Sequence, residues 1–170
     1  MTTLNILLHP HPTLREIAAP VLEVTDEIKK FVNDMWETLY HDNGVGLAAT
    51  QVNVKQRVLV VDVSDKHNNP QCFINPEILE SSGSAMAHEG CLSFPNMYLP
   101  IVRPEFCKVR ALDEHGQLRV VEADGLFARC LQHEIDHLNG VVFIDHVTRM
   151  KRDRALTKYF KELKLKNNVL

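Results

Sequence analysis

Residues 132–140 read Gln-His-Glu-Ile-Asp-His-Leu-Asn-Gly. The apolar spacing before it and the Asn-Gly pair that closes it predict one helix over residues 124–138. On a helix, His133 and His137 lie on one face about 6 Å apart, so both imidazoles can bind one metal ion. Glu134 lies about 100° round the helix, where its carboxylate can exchange a proton with water at that ion.

A third metal ligand is not evident inside this segment. A catalytic metal usually has three protein ligands and one open position. Asp145 and His146 follow closely, but they lie beyond the break at Gly140 in a predicted strand, and they are the weaker candidates. Asp136 is either a charge on the helix surface or a hydrogen-bond partner of a ligand. Two ordinary helix histidines remain the alternative to a metal site.

The remaining pattern predicts an α+β fold rather than a regular βαβ repeat. Helices and strands are expected from periodicity and from turn residues. The predicted elements are irregular chain with one helical turn at 9–20, a helix capped by Asp26 and ended by Asn43-Gly44, a strand at 57–63, an extended segment at 71–80 broken by Asn75-Pro76, a hairpin of 106–112 with 118–122, and a helix at 148–164.

Composition bounds the partners and the compartment. The chain has 170 residues and a net charge of −3, which gives no general reason to expect DNA or an anionic membrane as partner. No apolar run approaches the roughly 20 residues that span a bilayer, and no secretory signal is visible at the start. The four cysteines form no C-x-x-C pair. A cytoplasmic protein with reduced thiols is therefore predicted.

Two further segments carry a resemblance. Residues 44–51 read Gly-Val-Gly-Leu-Ala-Ala-Thr-Gln, and residues 89–95 read Glu-Gly-Cys-Leu-Ser-Phe-Pro. With residues 132–140 they resemble the three signature motifs of the peptide deformylases, in the same order and spacing. The similarity extends from Leu14-Arg15 to Val141-Val142-Phe143. That family removes the formyl group from the N-terminal formyl-methionine of nascent bacterial-type polypeptides.

The resemblance implies a single catalytic domain over residues 1–170, with antiparallel β-sheets around the metal-binding helix and helices at both ends. It also implies one divalent ion, Fe²⁺ in the cell, with Zn²⁺, Ni²⁺ or Co²⁺ as substitutes. The implied roles are Cys91, His133 and His137 as metal ligands, Glu134 as general base and acid, Gln51 and the backbone N–H of Leu92 as oxyanion donors, and Gly46 as partner of the peptide backbone.

A pocket for the methionine side chain is predicted beside the metal. Leu126 and Cys130 lie seven and three residues before His133 and therefore share its helix face. In the resembling family this is where methionine binds. The residues that match Val45 and Glu89 are expected to contribute to the same pocket.

Two residues near this pocket carry separate expectations. Arg129 shares the same helix face, and its apolar stem is expected to line the pocket while its charged head lies in solvent. Tyr98 stands near the position where some relatives have an arginine that contacts the substrate beyond methionine. Substrate preference past the first residue is therefore left open.

The C-terminal segment is strongly basic. Residues 149–166 contain eight basic and two acidic residues, a net charge of +6 in a chain whose total is −3. Such asymmetry suggests contact with an anionic partner. In the resembling family a basic C-terminal helix is associated with docking on the ribosome, and that contact is the prediction here. A solvated helix face is the alternative.

Two other functions compete with deformylation. A metallopeptidase could use the same His-Glu-x-x-His helix, but Cys91 in its Glu-Gly-Cys-Leu-Ser setting favours deformylation. A non-catalytic domain with a structural metal would require four protein ligands. That reading would also leave Glu134 without a purpose.

Overall fold

The computed structural model describes residues 2–168. None of the helices within this range combines the length and the apolar character needed to cross a membrane. The α-helices are α1 (Asp26–His41), α2 (Gly125–Leu138) and α3 (Arg149–Asn168), and short 3₁₀ turns occur at Pro12–Arg15, Ala49–Val52 and Phe143–His146. The strands are β1 (Gly46–Ala48), β2 (Val58–Val61), β3 (Gln71–Ser82), β4 (Ala85–Cys91), β5 (Phe94–Arg103), β6 (Phe106–Leu112) and β7 (Leu118–Asp124).

The strands form two antiparallel sheets, which confirms the predicted fold class. Five strands are ordered β1-β2-β3-β6-β7, and β4 pairs with β5 in a second sheet. Strand β1 pairs with β2 alone, so it forms one edge of the larger sheet. This edge lies where α2 and the end of β4 meet, and it becomes part of the functional site.

Strand β2 explains how the larger sheet is covered on both faces. Successive side chains of a strand point to opposite faces. Leu59 therefore packs in the cluster that contains Leu131 and Ile135 of α2. Its neighbour Val60 packs in the cluster that contains Met35 of α1. All four β2 residues are buried because a helix covers each face, which explains why their sequence is apolar without alternation.

A third core cluster joins α3 to the smaller sheet. Phe94 and Ile101 of β5 pack with Phe143 of the 3₁₀ turn and with Tyr159 of α3. The hydroxyl of Tyr159 donates a 2.8 Å hydrogen bond to the carbonyl oxygen of His9. The C-terminal helix is therefore fixed to the sheet that contributes Cys91.

The N-cap of α1 differs from the prediction by one residue. Thr25, not Asp26, is the N-cap, and its hydroxyl accepts a 3.3 Å hydrogen bond from the Ile28 N–H. At the other end Asn43 adopts the left-handed conformation with a φ of +55°. Gly44 is needed for close packing rather than for a left-handed backbone, because a Cβ there would lie 2.8 Å from the side chains of Leu39 and Leu92.

Three other predictions need correction. The strand expected after Gly140 is the 3₁₀ turn Phe143–His146. The expected break at Asn75-Pro76 is a shift of register inside the continuous strand β3. The final helix extends to Asn168, four residues beyond its predicted end. Strands β1, β4 and β5 were not predicted.

Candidate metal centre

Three ligand atoms converge where β4 ends against α2. Cys91, His133 and His137 each offer one donor atom, and these atoms lie within 4.8 Å of one another. Cys91 Sγ lies 3.3 Å from His137 Nε2. The one-turn spacing on α2 sets the two imidazoles side by side, with ring centroids 5.1 Å apart. The structure thus brings together the three residues predicted as ligands.

The orientation of His133 is fixed by a buried carboxylate. Its Nδ1 lies 2.9 Å from Oε1 of Glu89, so Nδ1–H donates and Nε2 is left for the metal. Burial acts to raise the pKa of Glu89, but hydrogen bonds from His133 and Arg103, with their charges, lower the pKa to about 2. Glu89 is therefore ionised and accepts this hydrogen bond at all physiological pH values.

The electrostatics of the site favour a bound cation. Burial holds the pKa of His137 well below its ordinary value. Its Nδ1 is buried without a hydrogen-bond partner in residues 2–168. Burial also acts to lower the pKa of His133, but hydrogen bonding to Cys91 and Glu89 raises it well above its ordinary value. The groups that favour a positive charge on His133 also favour a positive metal ion beside it. A donor set of one sulfur and two nitrogens suits Fe²⁺ or Zn²⁺.

Glu134 lies beside the three ligands as an unpaired carboxyl group. It is 4% exposed, and its Oε2 has no hydrogen-bond partner within the described part of the chain. Burial raises the pKa of Glu134 to about 7. A carboxyl group with a pKa near neutrality can both accept and return a proton, as general acid–base catalysis requires.

Gly46 allows β1 to pass close to this carboxyl group. A Cβ at Gly46 would lie 2.6 Å from Cys130 Sγ and 2.9 Å from Glu134 Oε1. Any side chain would therefore displace one of these groups. The edge of β1 and the Glu134 carboxyl group consequently share one narrow space.

Gln51 and Leu92, the two predicted oxyanion donors, both lie next to Cys91. The Ala48 N–H donates a 2.9 Å hydrogen bond to Gln51 Oε1, which directs Nε2 toward Ser93 Oγ at 3.1 Å and Cys91 Sγ at 3.6 Å. Leu92 follows Cys91 directly in the two-residue turn between β4 and β5. Both predicted oxyanion donors therefore lie next to the metal ligands.

A cleft of about 750 Å³ opens onto this centre. We call it the cleft; it extends from Glu134 and Cys91 past the edge of β1 to Tyr98. Val45 and Leu126 are partly exposed on its walls, while Cys130 is buried at its base. The predicted methionine-pocket residues therefore all line one cavity beside the metal ligands.

The family model for polypeptide deformylase matches residues 3–153. The chain belongs to the polypeptide deformylase family. It is 48% identical over 164 residues to the peptide deformylase of Pseudoalteromonas translucida (strain TAC 125), covering 96% of this chain and 98% of the relative. It is also 47% identical to that of Neisseria gonorrhoeae (strain ATCC 700825 / FA 1090), with the same coverage. The predicted family is confirmed.

Solved structures of deformylases have the same fold. The crystal structure from Legionella pneumophila superimposes with a TM-score of 0.94 at 40% identity, covering 98% of both chains. The deformylase from Ehrlichia chaffeensis in complex with actinonin gives 0.91 at 41% identity, covering 95% of this chain and 98% of the other. The chain is accordingly a metal-dependent hydrolase of the family that removes the formyl group from N-formyl-methionine of nascent peptides.

Arg129 lines the cleft as predicted, but the predicted exposure of its charged head is wrong. Its guanidinium is buried, not solvated, and the residue is 8% exposed. Nη1 donates to Glu89 Oε2 at 2.6 Å and to the carbonyl of Ile101 at 2.9 Å, and Nη2 donates to the carbonyl of Ala85 at 2.8 Å. A buried carboxylate and two carbonyl groups replace the water that the charged head would otherwise need.

Sequence reasoning missed Arg103 altogether. Its Nε lies 2.6 Å from Glu89 Oε2, and its Nη1 lies 2.9 Å from Asp136 Oδ2. Asp136 also lies 2.8 Å from His146 Nε2, so it is paired with Arg103 and His146. It is therefore neither an isolated helix charge nor hydrogen-bonded to one of the three candidate ligands. Asp145 pairs with Arg15 instead of approaching the centre. Neither weaker candidate for the third ligand belongs to the ligand set.

Proposed function

We propose that Cys91, His133 and His137 hold one divalent metal ion and that Glu134 moves the protons of deformylation. The convergence of the three donor atoms within 4.8 Å, directly beside a buried carboxyl group, carries this proposal. When bound, the ion supplies Lewis acidity, which acidifies water and polarises the formyl carbonyl. All other steps are assigned to residues of this chain.

Glu134 acts first as base and then as acid. It accepts a proton from the water that attacks the formyl carbon, and a C–O bond forms. It then delivers that proton to the nitrogen of methionine as the C–N bond breaks. A free amine and formic acid leave, and the acid loses its remaining proton to become formate. A pKa near 7 suits both transfers.

Gln51 and Leu92 stabilise the charge that develops on the formyl oxygen. The Gln51 Nε2–H and the Leu92 backbone N–H are proposed to donate to this oxygen as the carbon becomes tetrahedral. Because Gln51 is already held by Ala48 and Ser93, it needs no reorganisation during the reaction.

The substrate is proposed to bind as an added strand along β1. Gly46 lies on an edge whose other side pairs with β2, so its backbone can pair with an extended peptide. The methionine side chain then enters the space between Val45, Leu126 and Cys130. Glu89 belongs to the same wall, but its two oxygens are occupied by His133, Arg103 and Arg129. We therefore assign it to positioning His133 rather than to direct contact with substrate.

Fe²⁺ is proposed as the ion used in the cell, with Zn²⁺, Ni²⁺ or Co²⁺ able to replace it. A thiolate and two imidazoles bind each of these ions, so the donor set supports the group of metals more strongly than any one member. Anaerobic purification followed by metal analysis and activity measurement distinguishes them, since an Fe²⁺ enzyme loses activity in air while a Zn²⁺ enzyme keeps it.

We further propose one catalytic unit across residues 1–170, acting in the cytoplasm and contacting the ribosome through the basic helix α3. Support for the ribosome contact is the exposure of Arg149, Lys161 and Lys164 on a segment of net charge +6. Co-sedimentation with ribosomes across a salt series tests it. Binding should weaken as salt rises, and binding insensitive to salt would contradict an electrostatic contact.

Formate release from a formyl-methionyl tripeptide tests the reaction itself. The enzyme is prepared without oxygen, and Glu134→Gln is compared with Glu122→Gln, which changes an exposed carboxylate of β7. We expect rapid release by the parent and by Glu122→Gln, and near-complete loss in Glu134→Gln. Cleavage of internal peptide bonds without formate release would instead support a metallopeptidase.

A further inference from the structure

A second groove continues from the cleft. It has a volume of about 340 Å³ and lies between β5 and α3. Residues 95–98 of β5 line both the cleft and this second space, so the two are separated only by this segment. We call the second space the basic groove.

The α3 wall of the basic groove carries three cations. Lys151, Arg154 and Lys158 line it, one turn apart along the helix, and all three are exposed. Neither Lys151 nor Arg154 has a carboxylate within 4.0 Å among residues 2–168. Lys158 lies 4.0 Å from Glu162, which is the one acidic residue of the lining. The groove therefore carries an excess of two positive charges without local compensation.

The β5 wall offers an exposed aromatic ring that a bound polypeptide can contact. Tyr98 is 70% exposed, and Met97 beside it is buried. The ring of Tyr98 lies over Gly90, where a Cβ would be 2.7 Å from Tyr98 Cε1. An exposed aromatic ring thus stands at the boundary between the cleft and the basic groove.

The rigidity of the basic groove follows from the packing of α3. Tyr159 of α3 is 3% exposed and is hydrogen-bonded to the carbonyl of His9. Its ring packs 5.7 Å from that of Phe94, centroid to centroid. The two walls are therefore held in place before any ligand binds, which reduces the entropy cost of binding.

We propose that the basic groove binds acidic residues of the substrate polypeptide downstream of formyl-methionine. This inference rests on the proposed function, which places the formyl end beside Glu134 and the following residues along the cleft. An extended chain advances about 3.3 Å per residue. Because residues 95–98 line both the cleft and the groove, a peptide that continues along the cleft past Tyr98 enters the groove. Carboxylates there meet Lys151 and Arg154, and each exposed pair changes affinity by about one- to fivefold.

Three formyl-methionyl substrates test the proposal. The first is a tripeptide. The second and third are peptides about eight residues long, with either glutamates or lysines after the third residue, so that each extends roughly 16 Å beyond the tripeptide. The measured quantity is the ratio of kcat/KM for the acidic peptide to that for the lysine peptide, at low and at moderate salt. We expect a ratio of about ten at low salt that falls as salt rises.

Two triple variants with equal charge changes locate the effect. Lys151→Gln, Arg154→Gln and Lys158→Gln together alter the basic groove and should bring the ratio to about one. The control combines Lys29→Gln, Lys55→Gln and Lys66→Gln, whose exposed side chains lie outside α3 and outside the lining of the groove. The control should keep the parent ratio.

Each other outcome has a definite meaning. A parent that releases formate from the tripeptide but shows no acidic preference would overturn the groove proposal and leave the proposed function intact. Failure to release formate from all three substrates would remove the proposed function as well. Equal loss of the ratio in both triple variants would assign the preference to net charge rather than to the groove. The groove variant could also lose ribosome binding while it retains the parent's peptide ratio and the control variant still binds ribosomes. That result would assign the groove to nucleic acid and overturn the proposal.

Discussion

Nδ1 of His133 and Oε1 of Glu89 lie 2.9 Å apart, and both side chains are more than 90% buried. This contact fixes which imidazole nitrogen faces the metal centre. It also links the centre to Arg103 and Arg129, whose guanidinium groups hold the same carboxylate. One ion-pair cluster therefore orients a ligand and joins α2 to β4 and β5.

Glu89→Gln should weaken metal binding by about 10- to 100-fold, because a neutral amide holds the His133 imidazole less firmly. It should also lower the free energy of unfolding by about 3–5 kcal/mol, since two buried arginines lose their shared carboxylate. Competition with a chelator and thermal unfolding measure the two effects. Glu80→Gln, at an exposed pair with Lys108, is the control. Unchanged metal affinity in Glu89→Gln would contradict the positioning role.

Gly46→Ala should lower kcat/KM by about 10- to 100-fold, because the added methyl group would crowd Cys130 and Glu134 at a cost of about 1–3 kcal/mol. Cys130→Ala in the same chain should restore part of the loss by removing the sulfur atom that the new methyl group meets. Steady-state kinetics on the tripeptide measure both. An active Gly46→Ala enzyme would show that β1 can move away from the acid–base group.

Gln51→Ala should lower kcat by about 10²–10³-fold with a small change in KM, as expected for a donor that acts mainly in the transition state. Ser93→Ala removes only the hydroxyl that positions the Gln51 amide. We expect a smaller loss of about three- to tenfold, the equivalent of one ordinary hydrogen bond. A rise in KM at constant kcat for Gln51→Ala would instead place this side chain in ground-state binding.

The regions predicted correctly are those whose signals are local. The α2 helix, with its two histidines one turn apart, follows from spacing within fourteen residues. The β6–β7 hairpin follows from the turn at Asp113 to Gly116, where Gly116 has a φ of +78°. In both, neighbours in sequence are also neighbours in space, so periodicity and turn chemistry are sufficient.

The regions that were missed depend on distant partners. Strand β1 is three residues long and exists because Gly46 pairs with Val61. The guanidinium of Arg129 was expected in solvent because long basic side chains usually keep their charged end in water. Its partner Glu89 lies forty residues away. A buried ion pair of this kind has no periodic signature, and the three-dimensional fold is needed to find it.

The ion pair between Asp145 and Arg15 should make stability depend on pH in acid. Burial acts to raise the pKa of Asp145, but hydrogen bonds from Arg15 and from the Val142 N–H lower it below its ordinary value. A depressed folded-state pKa contributes stability above the unfolded value of about 3.9, and this contribution is lost as pH falls through the folded value.

Asp145→Asn should therefore reduce the free energy of unfolding at pH 7 by about 1 kcal/mol or less, because both partners are partly exposed. The difference between parent and variant should shrink as pH falls below about 4. Urea unfolding at pH values from 7 to 3 measures it. A difference that stays constant over this range would mean that the pair does not stabilise the fold through charge.

Metal content per chain tests the central claim most directly. The parent, Cys91→Ala, His133→Ala and His137→Ala are purified without oxygen, loaded with Fe²⁺ or Co²⁺ and dialysed. The control is His88→Ala, which changes an exposed histidine of β4, the strand that also contains Cys91. We predict one ion per chain in the parent and in the control. We predict loss of the ion from each of the three ligand variants, with the fold retained by circular dichroism. Full metal content in any ligand variant would contradict the assignment of that residue, and full content in all three would place the ion elsewhere.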